Sequence, residues 1–275
     1  MATPNREQIS RCNHRSSRYY RRVPPAIRNL RDNALVAHVA PLMLFVLFTS
    51  LPGFFKIENA ALPWYRQGPE HWVYPVQTLV CGALLFGWWR HYKFAPWRGL
   101  GLAVLFGVIG IAVWLAPGIV LHLNRDPGHV WPAWWTWLEW SDRFEGFNPT
   151  LLNDHPLGKA ASIAMRFVRM VIVVPLVEEL FWRGFLMRYI VAELRHTSWT
   201  NIAFGTHHWL SFAITTVAVT FIHNRPDWPA AFVWGALTYW LAVRTKSLGA
   251  CVVMHAVGNL ILGIYVLQTE QWGFW

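Results

Sequence analysis

After residue 33 this chain consists almost wholly of apolar runs too long and too poor in charge for a water-soluble fold: 34–51, 72–89, 99–121, about 160–191, 202–222, 228–243 and 248–267. A helix of about 20 apolar residues spans the hydrocarbon layer of a bilayer. The pattern predicts an all-α, polytopic transmembrane helix bundle of seven spans, or eight if 51–62 also crosses. Composition agrees, since 14% of residues are charged against ~25% in a soluble domain. No stretch is left over for a soluble domain. The expected organisation is a polar arm, 1–33, followed by one transmembrane domain, 34–275.

The arm carries eight arginines, Arg6, Arg11, Arg15, Arg18, Arg21, Arg22, Arg28 and Arg31, against Glu7 and Asp32, and so supplies six of the ten net positive charges. No base-reading or base-stacking fold accompanies it, so nucleic acid is not an expected partner. It has no apolar core of a signal peptide. The arm reads as a largely disordered cytoplasmic tail drawn to anionic headgroups. With it inside, the loops on that side hold fifteen basic residues against six on the other, which orients the bundle with the N-terminus cytoplasmic.

The longest loop, 124–159, holds Trp131, Trp134, Trp135, Trp137 and Trp140. Tryptophan clusters favour the headgroup layer, so an interfacial helix on the outer leaflet is expected, with a substrate-gripping aromatic platform as the alternative. Cys12, Cys81 and Cys251 are widely spaced, contain no Cys-x-x-Cys and suggest no disulfide framework.

Against this apolar background, Glu178, Glu179 and Arg183 fall inside the fourth run. A charge near the bilayer centre costs at least ~2.5–3.5 kcal/mol on insertion scales, so three within six residues must pair or face a wet cavity. On a helix, 179 and 183 lie one turn apart on one face while 178 points about 100° away. Glu179 is therefore expected to pair with Arg183, leaving Glu178 free to act as a base. A purely structural ion-pair knot is the alternative for these three residues taken alone.

His223 ends the fifth run, and His255 and Asn259 lie one turn apart on the seventh. A carboxylate and an imidazole can hold and deprotonate water, while an imidazole and an amide can donate to a developing oxyanion. Straight helices place His255 ~10 Å from the inner surface and His223 at the outer end of its span. For the two to share a site, segment 224–229 must dip inward to line a cavity, or the span boundaries must lie elsewhere.

These residues resemble the CPBP intramembrane proteases, which include the CAAX prenyl endopeptidases and bacterial proteins linked to bacteriocin processing and immunity. The family pattern is Glu-Glu-x-x-x-Arg, then Phe-x-x-x-His, then His-x-x-x-Asn or Asp. Glu178, Glu179 and Arg183 match the first part, and His255 with Asn259 matches the third. His223 fits the second, although Val219 stands where the family has Phe. The run Glu-Glu-Leu-Phe-Trp-Arg-Gly-Phe-Leu-Met also resembles a subgroup found with bacterial exosortase systems. The likeness covers about 160–267, the expected catalytic core. It implies that Glu178 and His223 activate water, that His255 and Asn259 stabilise the oxyanion, and that Glu179 and Arg183 support them.

The resemblance implies an integral protein of a bacterial inner membrane, an endopeptidase that hydrolyses a peptide bond of a membrane-anchored protein or peptide. A non-catalytic scaffold or immunity-type peptide-binding protein of the same fold is the alternative; a proton-coupled transporter lacks the inverted repeat many transporters show. No cofactor is required by the sequence. Glu178, His223 and His255 are the ligand types of a three-ligand zinc site, but His-Glu-x-x-His is absent and His207-His208 reads as a helix entering the membrane.

Overall fold

The computed structural model describes residues 25–59, 61–124 and 129–275, and these are helical without a strand. Helix α1 is Pro25–Asp32, α2 Ala34–Ser50, α3 Glu70–Gly87 and α4 Leu100–Leu123. The continuous 39-residue helix Pro156–Leu194 is α5. Then follow α6, Trp209–Phe221, α7, Trp228–Thr245, and α8, Leu248–Thr269. The first 24 residues of the basic arm lie outside the described residues; its last turns form α1. Asp32 pairs with Arg90 at the far end of α3, which ties the arm's end to the bundle.

Four helices among the described residues are long and apolar enough to cross a membrane: Ala34–Phe55, in which α2 continues through a short turn, α4, α5 and α8. The seven-span expectation is thus met by length and hydropathy at four of its runs. The other three runs are helices that fall short of the combined measure. α3 and α7 are 18 residues long but diluted by polar and indole side chains, and α6 has 13 residues. α6 begins at Trp209 rather than 202 because Gly205 takes a left-handed φ of 73° and His208 caps the helix, its Nδ1 accepting from Leu210 N. A left-handed turn is tolerated by glycine, which has no Cβ to clash.

The helices from α2 to α8 run alternately between two ends. One end gathers the start of α2, Tyr92, Gly205 and the α7–α8 turn, where Lys246 Nζ donates to Gly205 O and Gly249 N to Phe94 O. The other end gathers loop 129–155, segment 222–227 and Glu270–Trp275. There Trp140 Nε1 donates to Pro226 O, and Gly273 N to Arg143 O at 2.8 Å.

Large apolar side chains face outward, among them Leu79, Phe86, Leu105, Ile172 and Ile264, while small residues face inward. This inversion suits helices packed in lipid, where close backbone approach rather than water exclusion drives association. The indole of Trp234 on α7 wedges between Gly110 of α4 and Gly258 of α8; a Cβ at Gly258 would stand 2.4 Å from it. Gly107 brings α4 against the Met254 carbonyl of α8 in the same way.

α5 changes pitch twice. Residues Arg169–Val173 and Leu180–Leu186 are wide π turns on either side of Val174–Glu179. In the first, Val174 N donates to Arg169 O, five residues back. The next amide in that register belongs to Pro175, which has no N–H, so the Met170 carbonyl loses its helical partner. Asn259 Nδ2 of α8 donates to that carbonyl at 2.6 Å.

Candidate active site

The α-helical turn between the two π segments carries both glutamates, and the 100° step between them sends them to different surroundings. Glu179 is fully buried, and its Oε1 accepts from Arg183 Nη1 at 3.3 Å and from His255 Nδ1 at 2.9 Å. Arg183 Nη2 reaches Gly235 O of α7. One carboxylate therefore fastens α5 to α8, and its arginine reaches the backbone of α7. Glu178 is half-buried, makes no hydrogen bond to a described residue, and lines a cavity of about 260 Å³.

His223, His255 and Asn259 line the same cavity. His223 follows the last turn of α6, where Nδ1 donates to Val219 O at 2.7 Å and the residue's own carbonyl accepts from Trp228 Nε1. A carbonyl can only accept, so Nδ1 carries the proton and Nε2 is the nitrogen left for chemistry. His255 has its Nδ1 on Glu179, and it too keeps Nε2.

The depth difference between the two histidines is spanned by aromatic rings. His223 packs edge-on against Trp114 at 5.2 Å, Trp114 against Trp234 at 6.4 Å, and Trp234 against His255 at 5.3 Å. Segment 224–229 does turn inward, since Asn224 and Asp227 are cavity walls. The tryptophan-rich loop buttresses that turn: Ala133–Trp137 forms a short helix, Trp137 meets Trp228, and Arg225 pairs with Glu139.

Reading the sequence missed several walls of the cavity, among them Trp114, Trp234, Arg143 and Trp275. The indoles look like ordinary span residues in a chain with 19 tryptophans. Arg143 and Asp227, 84 positions apart, pair at 2.7 Å only because loop 129–155 folds over segment 222–227. Both also line a second, more polar cavity of about 530 Å³. The site thus opens toward the loop end of the bundle, opposite the start of α2.

Residues 160–261 match the family model of the type II CAAX prenyl endopeptidase Rce1-like proteins. That segment is an Rce1-like domain. It runs from the second turn of α5 to Ile261 of α8 and contains Glu178, Glu179, Arg183, His223, His255 and Asn259. The Rce1-like family is one of proteases, and that match together with the apolar helices points to a membrane protein. No curated protein and no solved structure matches the chain.

The zinc triad considered from sequence, Glu178, His223 and His255, is not drawn into a ligating group. Among the described residues no three His, Cys, Asp or Glu side chains come together closely enough to hold an ion. His207 packs edge-on against Trp209 and at a tilt against Trp240, and His208 caps α6; neither lines the cavity. Cys81 and Cys251 are buried and free, and Cys12 lies outside the described residues.

Proposed function

We propose that the protein is an intramembrane endopeptidase of the CAAX-protease type, hydrolysing a peptide bond of a membrane-anchored protein or peptide in a bacterial inner membrane. The observation that carries this reading is the convergence of Glu178, His223, His255 and Asn259 on one cavity inside the Rce1-like segment. Glu178 and the Nε2 of His223 hold a water and take its proton as its oxygen bonds to the scissile carbonyl carbon. The oxyanion that forms accepts from His255 Nε2–H and from the amide proton of Asn259 not committed to Met170. Collapse breaks the C–N bond, and the proton held by the glutamate–histidine pair passes to the departing amine.

Donation by His255 Nε2 while Nδ1 donates to Glu179 needs the doubly protonated ring. In this reading the attacking nucleophile is a water held by protein side chains. With the N-terminus cytoplasmic, the cavity mouth faces away from the cytoplasm, and the substrate bond is met at that surface.

The test is cleavage of a panel of membrane-anchored peptides by the purified full-length chain in liposomes. Wild type is expected to cleave with or without chelator, and Glu178→Ala to lose cleavage while unfolding at an unchanged temperature. Cleavage by Glu178→Ala at the wild-type rate would overturn the glutamate-activated water. A well-folded wild type that binds peptides without cutting any would support the scaffold reading instead.

A further inference from the structure

Two further cations of α5 take no part in that chemistry. Arg166 and Arg169 are 5% and 7% exposed, and among the described residues neither forms an ion pair with a carboxylate. Arg169 is otherwise served, its Nε donating to Gln77 Oε1 at 2.6 Å and Nη2 to Thr49 Oγ1 at 3.3 Å. Arg166 is not. Its Nε and Nη1 are enclosed without an acceptor, and its guanidinium faces the rings of Tyr74, Phe147 and Trp275 at 5.3, 5.1 and 5.7 Å. The indole Nε1 of Trp275 is likewise enclosed and without an acceptor.

Enclosed N–H donors without acceptors thus sit on Arg166 and on the neighbouring Trp275, near two positive charges. Aromatic faces offset part of the charge, but they accept no strong hydrogen bond, and enclosed donors are rarely left unmet. What is missing is an anionic acceptor, since phosphate oxygens form strong charge-assisted hydrogen bonds with guanidinium N–H groups. The depth points to its source. Tyr74 lies one turn inside the start of α3, Phe147 is in the loop beyond, and the tryptophans of loop 129–155 and of Trp272–Phe274 surround this end of the bundle. Tryptophan belts mark the headgroup layer.

We propose that Arg166, with the Trp275 indole N–H and the charge of Arg169 behind it, is a binding site for the phosphate of an anionic phospholipid. Trp275 is its cover and also a wall of the cavity that holds Glu178. A lipid phosphate seated on Arg166 therefore turns the Trp275 indole toward it and sets the width of the neighbouring cavity. The proposal concerns binding and stands whether or not the cavity hydrolyses peptides.

The experiment uses the purified full-length chain in neutral detergent, titrated with phosphatidylglycerol, phosphatidylcholine or inorganic phosphate. Retained lipid is counted by native mass spectrometry, and the unfolding temperature is followed in parallel. Phosphatidylglycerol is expected to raise the unfolding temperature by several degrees, phosphatidylcholine to leave it unchanged, and Arg166→Gln to lose one retained phosphatidylglycerol together with the shift. The basic arm holds any remaining anionic lipid equally in both proteins. Trp275→Phe keeps the ring and removes the N–H, so it should weaken the same event several-fold even if Arg166→Gln fails to fold. Equal stabilisation by both lipids, or retention unchanged in both variants, would overturn the site. A full shift from inorganic phosphate alone would overturn its assignment to lipid.

Discussion

His255 Nδ1 lies 2.9 Å from Glu179 Oε1, and the same oxygen accepts from Arg183 Nη1. That single atom joins the helix bearing the proposed base to the helix bearing the proposed oxyanion donors. In the proposed chemistry Glu179 is a positioning residue, and its loss should act through His255 rather than on the substrate.

Removing one member of a buried ion pair leaves the other uncompensated, at a cost of about 3–5 kcal/mol. Glu179→Gln and Arg183→Met should each lower the unfolding temperature markedly. The double variant Glu179→Leu/Arg183→Met, which removes both charges, should regain most of that stability but not the cleavage activity. Thermal unfolding beside peptide cleavage checks this, and a double variant as unstable as the sum of the singles would refute it.

In the proposed chemistry Asn259 serves two partners, because one amide proton is held by the Met170 carbonyl. Asn259→Ala should cost about 1–3 kcal/mol for that unmet acceptor and lower kcat with little effect on KM. Pro175→Ala returns an N–H to the wide turn. In that background Asn259→Ala should lose less stability while losing the same activity. A double-mutant cycle on unfolding free energy reads the coupling.

A methyl group at Gly258 would sit 2.4 Å from the Trp234 indole. Overpacking of this kind costs about 1–3 kcal/mol, and here the ring that must move is the one against His255. Gly258→Ala should therefore reduce cleavage at least tenfold while the helix content by circular dichroism stays unchanged. Gly101, whose added Cβ would meet nothing within 4 Å, provides the control: Gly101→Ala should be silent.

Arg143 straps the segment around Trp272–Phe274 to the loop, pairing with Asp227, facing the Phe274 ring at 4.3 Å and accepting from Gly273 N through its carbonyl. Asp227→Asn removes the charge that holds the guanidinium. Amide exchange at Gly273 and Phe274 should then accelerate several-fold, because local opening follows the loss of local contacts. Unchanged exchange would show that the backbone bond alone holds the strap.

Glu179 and Arg183 illustrate what local geometry makes legible. They are four residues apart on one helix, so their pairing and the opposite aim of Glu178 follow from the 100° step without knowledge of any neighbour. The helical class follows as directly from uninterrupted apolar runs. The arm 1–24, which composition marks as basic, lies outside the described residues. The extent of the spans was less legible, because tryptophan and glutamine dilute α3 and α7 below the hydropathy of a plain span, and a left-handed glycine shortens α6.

The sequence by itself determined the helices, the Glu179–Arg183 pair and the residue types of the site, because each depends on contacts within one or two turns or on transfer of a run from water to lipid. The tertiary structure decided which end of the bundle the cavity opens to, that two indoles span the gap between His223 and His255, and that Asn259 answers the carbonyl released by Pro175. The ring and hydrogen-bond contacts among them join residues about 20 to 120 positions apart, and only the packing of the helices brings them together.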